Sequence, residues 1–253
     1  MSFDVAAEAY DRFMGRYSAP LGPQLADLAG VTAGQRALDV GCGPGALTRV
    51  LVERLGAAAV SAVDPSEPFV EAVRARLPGV DVRRATAGSL PFADGAFDVA
   101  LAQLVVHFMP DPVAGLREMG RVTRLGGVVG AAVWDHAGDR GPLAPFWRAA
   151  RQLDPDVDDE SRRAGTREGH LVELATAAGL RDVRGAVLTV AVEHPTFDGW
   201  WEPYTRGVGP AGAHVAALGD ADRDALRAAA FAELGAGPFT IQARAWAVRG
   251  VVG

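Results

Sequence analysis

The chain contains no lysine and no asparagine; all 25 of its basic residues are arginines. Without lysine, neither Schiff-base chemistry nor the lysine of a phosphate-binding P-loop is available. A GC-rich coding sequence accounts for both absences, and the chemical exclusions hold whatever their origin. Only one cysteine is present, Cys42, which excludes an internal disulfide and a cysteine-rich zinc site. Positive charge is not in excess either. The formal net charge is −6, and arginines such as Arg74, Arg83, Arg121 and Arg162 are scattered rather than gathered into a stripe. A phosphate backbone needs a basic face, so a nucleic-acid partner is not expected. Long apolar runs are also missing. The longest, Val99 to Met109, is interrupted by Gln103 and His107 and falls well short of the roughly 20 residues that a bilayer span needs. The opening segment, Met1 to Arg16, is polar and acidic, unlike a signal peptide. These absences predict a soluble cytoplasmic protein with no membrane partner. They leave its oligomeric state open.

What is present is enough apolar material, 49% of 253 residues, to bury one sizeable core, so a single domain over 1–253 is expected. Short apolar runs alternate with helical patterns. Strands are predicted at Arg36–Val40, Ala59–Val63, Val80–Arg84, Phe97–Leu104 and Val128–Trp134, with helices between them. Strands separated by helices imply crossover connections and a parallel sheet covered on both faces. Further strands are predicted at Val183–Val192 and Phe239–Val248. Between these two, a mostly helical stretch over about 196–234 carries Trp200 and Trp201. The last strand is expected to insert antiparallel beside the others. The result is a doubly wound, seven-stranded, mostly parallel α/β sheet with helical lid insertions, including an N-terminal lid helix over about 1–18. Ligands of such sheets sit at the carboxyl ends of the strands.

The strongest local signal is Ala37-Leu38-Asp39-Val40-Gly41-Cys42-Gly43-Pro44-Gly45-Ala46, a strand running through a glycine turn into a helix. Glycines at 41 and 43 let a ligand approach the backbone. The pattern also fits G-x-G-x-x-A, so a dinucleotide has to be weighed. Asp39, two residues before Gly41, would repel a pyrophosphate but suits a ligand ammonium. Pro44 removes one backbone donor, a loss for a phosphate cradle. Asp64 follows Gly41 by 23 residues and ends the second predicted strand, where a carboxylate can accept both hydroxyls of a ribose.

With Val63-Asp64-Pro65-Ser66, Leu90-Pro91-Phe92, Asp94-Gly95-Ala96-Phe97-Asp98, Gln103 to Pro112, and Arg121-Val122 before Gly126-Gly127, the loop forms an ordered set over Leu38–Trp134. This set resembles the class I S-adenosylmethionine-dependent methyltransferases. It is closest to the bacterial small-molecule group related to the ubiquinone and menaquinone biosynthesis enzymes. Tyr10 to Arg16 is similar to that group's opening helix. The resemblance implies S-adenosylmethionine as cofactor. It implies Asp39, Gly41, Cys42 and Gly43 at the methionine end, and Asp64, Pro65 and Ser66 at the ribose and adenine. Thr86, Ala87, Gly88 and Ser89 would lie along the adenine edge, Gln103 and Leu104 near the sulfonium, and Arg16 at the methionine carboxylate. Thr86 stands where the group usually has an acidic residue. The fourth strand ends in Gln103-Leu104-Val105-Val106, not the D/N-P-P-Y/F segment of enzymes that methylate nucleobase or amide nitrogens.

A small, apolar acceptor methylated at oxygen or carbon is therefore expected. The alternatives are a cofactor-binding protein of this fold with a different reaction or no catalysis, and a dinucleotide oxidoreductase. His107 and His136 follow the fourth and fifth strands and are the candidate bases. Trp134, Trp200, Trp201 and Tyr204 are the candidate acceptor walls, the latter three equally readable as a packing clamp. Asp154 to Glu160 reads as a solvated acidic loop, His170, His194 and His214 as satisfied or surface histidines, and no metal site is expected.

Overall fold

The structure, a computed structural model, describes residues 7–253. Seven strands form one sheet: β1 (Ala37–Val40), β2 (Val60–Asp64), β3 (Asp81–Arg84), β4 (Phe97–Gln103), β5 (Thr123–Trp134), β6 (Arg181–His194) and β7 (Phe239–Val251). Their order is β3-β2-β1-β4-β5-β7-β6. The first five run parallel, and β7 inserts antiparallel between β5 and β6. Every residue of β1 and β2 is buried. This is why their sequences read as continuous apolar runs rather than alternating ones. Strand order reverses between β1 and β4, which opens a crevice at their carboxyl ends, and the glycine loop after β1 lies at that point.

Helices cover both faces of the sheet. Helix α1 (Ala7–Tyr10) passes through a π turn at Asp11–Gly15 into α2 (Arg16–Ala29). The lid helix expected over about 1–18 therefore differs from the structure. Its first six residues lie outside the described region, and the helix does not stop at residue 18. It continues through Pro20 and Pro23 because Tyr17, Leu21, Leu25 and Ala29, spaced four apart, are all buried. Burial of that stripe offsets the two lost backbone hydrogen bonds. The helix ends at Gly30, whose φ is 70°. Helices α3 (Ala46–Leu55), α4 (Glu67–Arg76) and α5 (Pro112–Val122) make the crossovers. Asp111 caps α5 by accepting the amide of Ala114 at 2.9 Å. After β5 come α6 (Ala144–Leu153) and α7 (His170–Ala177).

Between β6 and β7 lie α8 (Phe197–Trp201), a 3-10 turn at Glu202–Arg206, α9 (Gly209–Ala217) and α10 (Asp220–Leu234). These helices fill the stretch between the two strands. An aromatic cluster fastens it to the sheet. Tyr204 stacks on Phe146, with centroids 4.6 Å apart and planes 4° apart, and meets Phe13 edge-on at 5.0 Å. Trp200 and Trp201 pack against Phe197 and Tyr204. Among the described residues, no helix is long and apolar enough to cross a membrane.

Tyr204 is 2% exposed and central to this clamp. Tyr204→Ala is expected to lower unfolding free energy by about 3–5 kcal/mol, the range for deleting a buried aromatic ring. Urea denaturation checks this, and a loss below about 1 kcal/mol would show that the cap is held by other contacts.

Candidate active site

The site is assembled where β1, β2, β4 and β5 end. After Val40 the chain turns through Gly41 (φ 72°), Gly43 (φ 52°) and Gly45 (φ 97°) before α3 starts. The two loop glycines serve different needs. A Cβ on Gly41 would come within 2.5 Å of the Val105 side chain, whereas nothing lies within 4 Å of the Cβ position of Gly43. Gly41 thus closes the loop against the β4 exit, and Gly43 leaves open space. Asp64, at the end of β2, holds the loop in place. Its Oδ2 accepts the amide of Gly43 at 2.8 Å, and its Oδ1 accepts the amide of Ser66 at 2.9 Å. Each oxygen keeps a second lone pair for a ligand.

Beneath the loop, Asp39 is 1% exposed. Its Oδ2 accepts a hydrogen bond from Thr48 at 2.7 Å, and its Oδ1 has no partner. Burial pushes this carboxyl up to about 7, and Asp64 nearby pushes in the same direction. Burial raises Asp64 as well. A cationic group of a ligand would relieve both.

Gly41, Gly43, Asp64, Pro65, Gln103 and Leu104 line one cavity together with Tyr10, Phe69, Val105 and Phe108. Gln103 is anchored by a bond from its Nε2 to the Ser18 carbonyl at 2.9 Å, leaving a buried Oε1 without a partner. Leu104 has φ 64°, an unusual conformation for a branched side chain and one that clusters at functional sites.

Other expected cofactor residues sit elsewhere. The Cys42 side chain packs with Ala62, Val70, Val73 and Val82 behind the loop, so only its backbone belongs to the loop. Thr86, Gly88 and Ser89 form an exposed turn after β3, with Ala87 half-buried, and none of the four lines the cavity. Arg16 is turned away: its guanidinium meets His194 Nδ1 at 3.0 Å, and it lines an outer groove with Arg49 and Arg76. Ser66 is buried, its amide committed to Asp64.

A second, largely apolar cavity adjoins the first. Tyr10, Leu104 and Phe108 line both. Phe13, Met14, Trp134, Leu143 and the segment Val208–Pro210 complete its apolar wall, and its polar groups are His107, His136 and Glu160. Trp134, expected as an acceptor wall, lines this cavity. Trp200, Trp201 and Tyr204 do not line this cavity; their rings are consumed by the clamp described above, and the cap contributes Val208, Gly209 and Pro210 instead.

His107 lies in the short turn Val106–Phe108 after β4, and burial holds it well below its ordinary value. His136 follows β5, where Asp135 accepts the amide of Gly138 and the Arg140 guanidinium, both at 2.8 Å, and so folds the turn. Burial lowers His136 to about 4. Both imidazoles are therefore neutral at pH 7 and weakly basic. Glu160, expected in a solvated acidic loop, is instead 2% exposed with φ 66°, and burial raises it to about 7. Sequence reasoning missed Glu160, Tyr10 and Phe108 as cavity residues. The two aromatics lie in motifs already singled out, but nothing local marks Glu160.

Parts of the chain are similar to known proteins. Residues 38–130 match the model of a methyltransferase domain. An uncharacterized methyltransferase of Mycobacterium tuberculosis is 38% identical over 140 residues, which is 55% of this chain and 54% of that protein. A second, uncharacterized protein of the same organism is 31% identical over 223 residues, 84% of this chain and 80% of the relative. The 2-methyl-6-phytyl-1,4-hydroquinone methyltransferase of Synechocystis is 31% identical over 179 residues, covering 69% of this chain and 55% of that enzyme. Matches to the first and third thus span only about half of those relatives. Among solved structures, the YcgJ protein of Bacillus subtilis superposes with a TM-score of 0.59 at 19% identity, over 93% of this chain and 97% of that one.

Asp39 gives a pH prediction. Its folded pKa of about 7 lies above the unfolded value of about 3.9. Between those limits the folded state holds a proton that the unfolded state has released, so this group's contribution to stability is lost as pH rises from about 4 through 7. Asp39→Asn does not titrate. Its stability relative to the wild type is expected to rise by on the order of 2–3 kcal/mol between pH 5 and pH 8. Parallel urea curves at the two pH values check this; a constant difference would contradict it.

Proposed function

We propose that the chain, which matches a methyltransferase domain over residues 38–130 and is 31% identical over 179 residues to a hydroquinone methyltransferase, is a class I S-adenosylmethionine-dependent enzyme that transfers the methyl group to an oxygen or carbon of a small, largely apolar acceptor. The observation that carries this reading is the shared wall. A cavity lined by the glycine loop and Asp64, with Asp39 buried beneath that loop, meets an apolar cavity at Tyr10, Leu104 and Phe108.

The residues present fit the cofactor. Asp39 and Gln103 each bury an oxygen without a partner, and Gly43 leaves room where a side chain would intrude. Asp39, with the loop backbone at Gly41 and Gly43, would hold the amino-acid end; Asp64 would hold the ribose and Pro65 the adenine side; Gln103 and Leu104 would lie beside the sulfur. The cofactor, when bound, supplies a methyl group already made electrophilic by its sulfonium. The chain's own part is then positioning and exclusion of water. Leu104 and Phe108 border the passage between the cavities. Phe13, Met14 and Trp134 enclose the acceptor in a dry apolar wall. Such a cavity suits a ring or hydrocarbon body, and the absence of a basic stripe supports a small molecule over a nucleic acid. The cytoplasm is the expected compartment.

Calorimetric titration with S-adenosylhomocysteine should show one site per chain. Asp64→Ala should weaken it by about 1.5–3 kcal/mol, the loss of charge-assisted hydrogen bonds; equal affinity would remove Asp64 from the ribose. Methyl transfer from labelled S-adenosylmethionine to a panel of phenols and quinols tests the reaction. Binding without turnover across that panel would favour the non-methyl alternative.

A further inference from the structure

Three segments far apart in sequence converge at the floor of the acceptor cavity: the turn after β4, the turn after β5, and the loop before α7. Each delivers one metal-ligating side chain. His107, His136 and Glu160 offer ligand atoms that all lie within 4.8 Å of one another. All three are buried, at 8%, 7% and 2% exposure. Two of their atoms, His107 Nδ1 and Glu160 Oε2, are buried with no hydrogen-bond partner. A buried polar atom left unpaired is costly, so a fold that retains two within one cluster calls for something that satisfies them.

Glu160 is not simply neutralised by its neighbour. The Arg163 guanidinium sits 3.8 Å from Oε1, on one side of the carboxylate, with its charge also over the Phe108 ring at 5.3 Å. Oε2 is the carboxylate oxygen without a hydrogen-bond partner, although the Trp147 indole also lies near this carboxylate. The left-handed backbone at Glu160 (φ 66°) is strained for a non-glycine residue, and such strain persists where the surroundings hold it in place.

We propose that His107, His136 and Glu160 form a site for one divalent transition-metal ion, with its remaining coordination positions open to the acceptor cavity. Two imidazoles and one carboxylate with open positions suit zinc, iron, cobalt or manganese rather than magnesium, which prefers oxygen ligands. Bonds of about 2.1 Å place the ligand atoms of a tetrahedral site about 3.4 Å apart, so ion binding draws the three groups closer through side-chain rotations. The identity of the open position's occupant rests on the methyltransferase reading: it is an oxygen of the acceptor, held by the ion on the acceptor side of Leu104. The ion would orient that oxygen and favour its ionised form. This gives His107 and His136 a role as ligands in place of the proton-accepting role expected from sequence.

The test is titration of the untagged, chelator-treated full chain with cobalt(II) alone, followed by visible absorption and calorimetry. The expected result is one saturable equivalent per chain, with the intense d–d absorption of a low-coordinate nitrogen- and oxygen-ligated ion. Glu160→Gln and His107→Gln should each weaken binding by about 100-fold or more, at least the loss seen when metal sites lose a supporting partner. Both variants should keep the wild-type affinity for S-adenosylhomocysteine, which also reports that they are folded. No saturable binding by the wild type, or binding that survives both substitutions, would overturn the site. Cofactor binding without cobalt binding removes the metal site and leaves the methyltransferase reading intact. Cobalt binding without cofactor binding upholds the site and defeats that reading.

Discussion

The arrangement depends on the double use of one carboxylate. Asp64 takes the Gly43 amide on one oxygen and the Ser66 amide on the other, tying the end of β2 to the loop that leaves β1. Neighbouring parallel strands end at the same edge, but their exits have no reason to keep a fixed spacing unless something crosses between them. Asp64 does so one strand from the topological switch point, together with the Val63 carbonyl, which accepts the amides of Gly41 and Cys42 at 2.8 and 3.0 Å. The crevice between β1 and β4 is thereby held open, with Gly43 facing free space. The cost is a second acidic group near the buried Asp39, which raises that carboxyl further. Two carboxylates beside one loop disfavour a pyrophosphate and favour a ligand with a positive end.

From that fixed edge the second cavity follows. β4 runs into Leu104, whose left-handed conformation turns the chain sharply before His107, which lines the second cavity. Tyr10 reaches the same place from the N-terminal helix, whose long buried stripe fixes it to the sheet. The cap between β6 and β7 shuts the cavity from the remaining side through Val208–Pro210, and the Phe146–Tyr204 stack behind it sets its position. Acceptor chemistry is thus enclosed by apolar side chains except for one polar corner.

Much of this was legible in the sequence because its signals are local. Strands buried on both faces leave unbroken apolar runs, and α3 at Ala46–Leu55 starts and stops where glycines 45 and 56 dictate. Asp39, Gly41, Gly43 and Asp64 come together through a single strand–loop–helix–strand unit, so spacing alone placed them. What failed to show depended on tertiary context. Aromatic residues at 200, 201 and 204 looked equally suited to a pocket or a clamp, and only the rings of Phe13, Phe146 and Phe197 decide for the clamp. Glu160 sits in a run of acidic residues, and composition gave no hint that this one is buried against histidines 24 and 53 positions earlier. The N-terminal helix, expected only to about residue 18, is likewise carried on through Pro20 and Pro23 by its buried four-residue stripe.

The central claim is that Leu104 marks the boundary between a cofactor cavity and an acceptor cavity. A crystal structure of the chain with S-adenosylhomocysteine tests it most directly. The account predicts the ribose on Asp64 and the sulfur beside Leu104, facing the chamber of Trp134 and His107. A ligand whose sulfur lies in the outer groove beside Arg16 and Arg49, or whose ribose leaves Asp64 untouched, would contradict it.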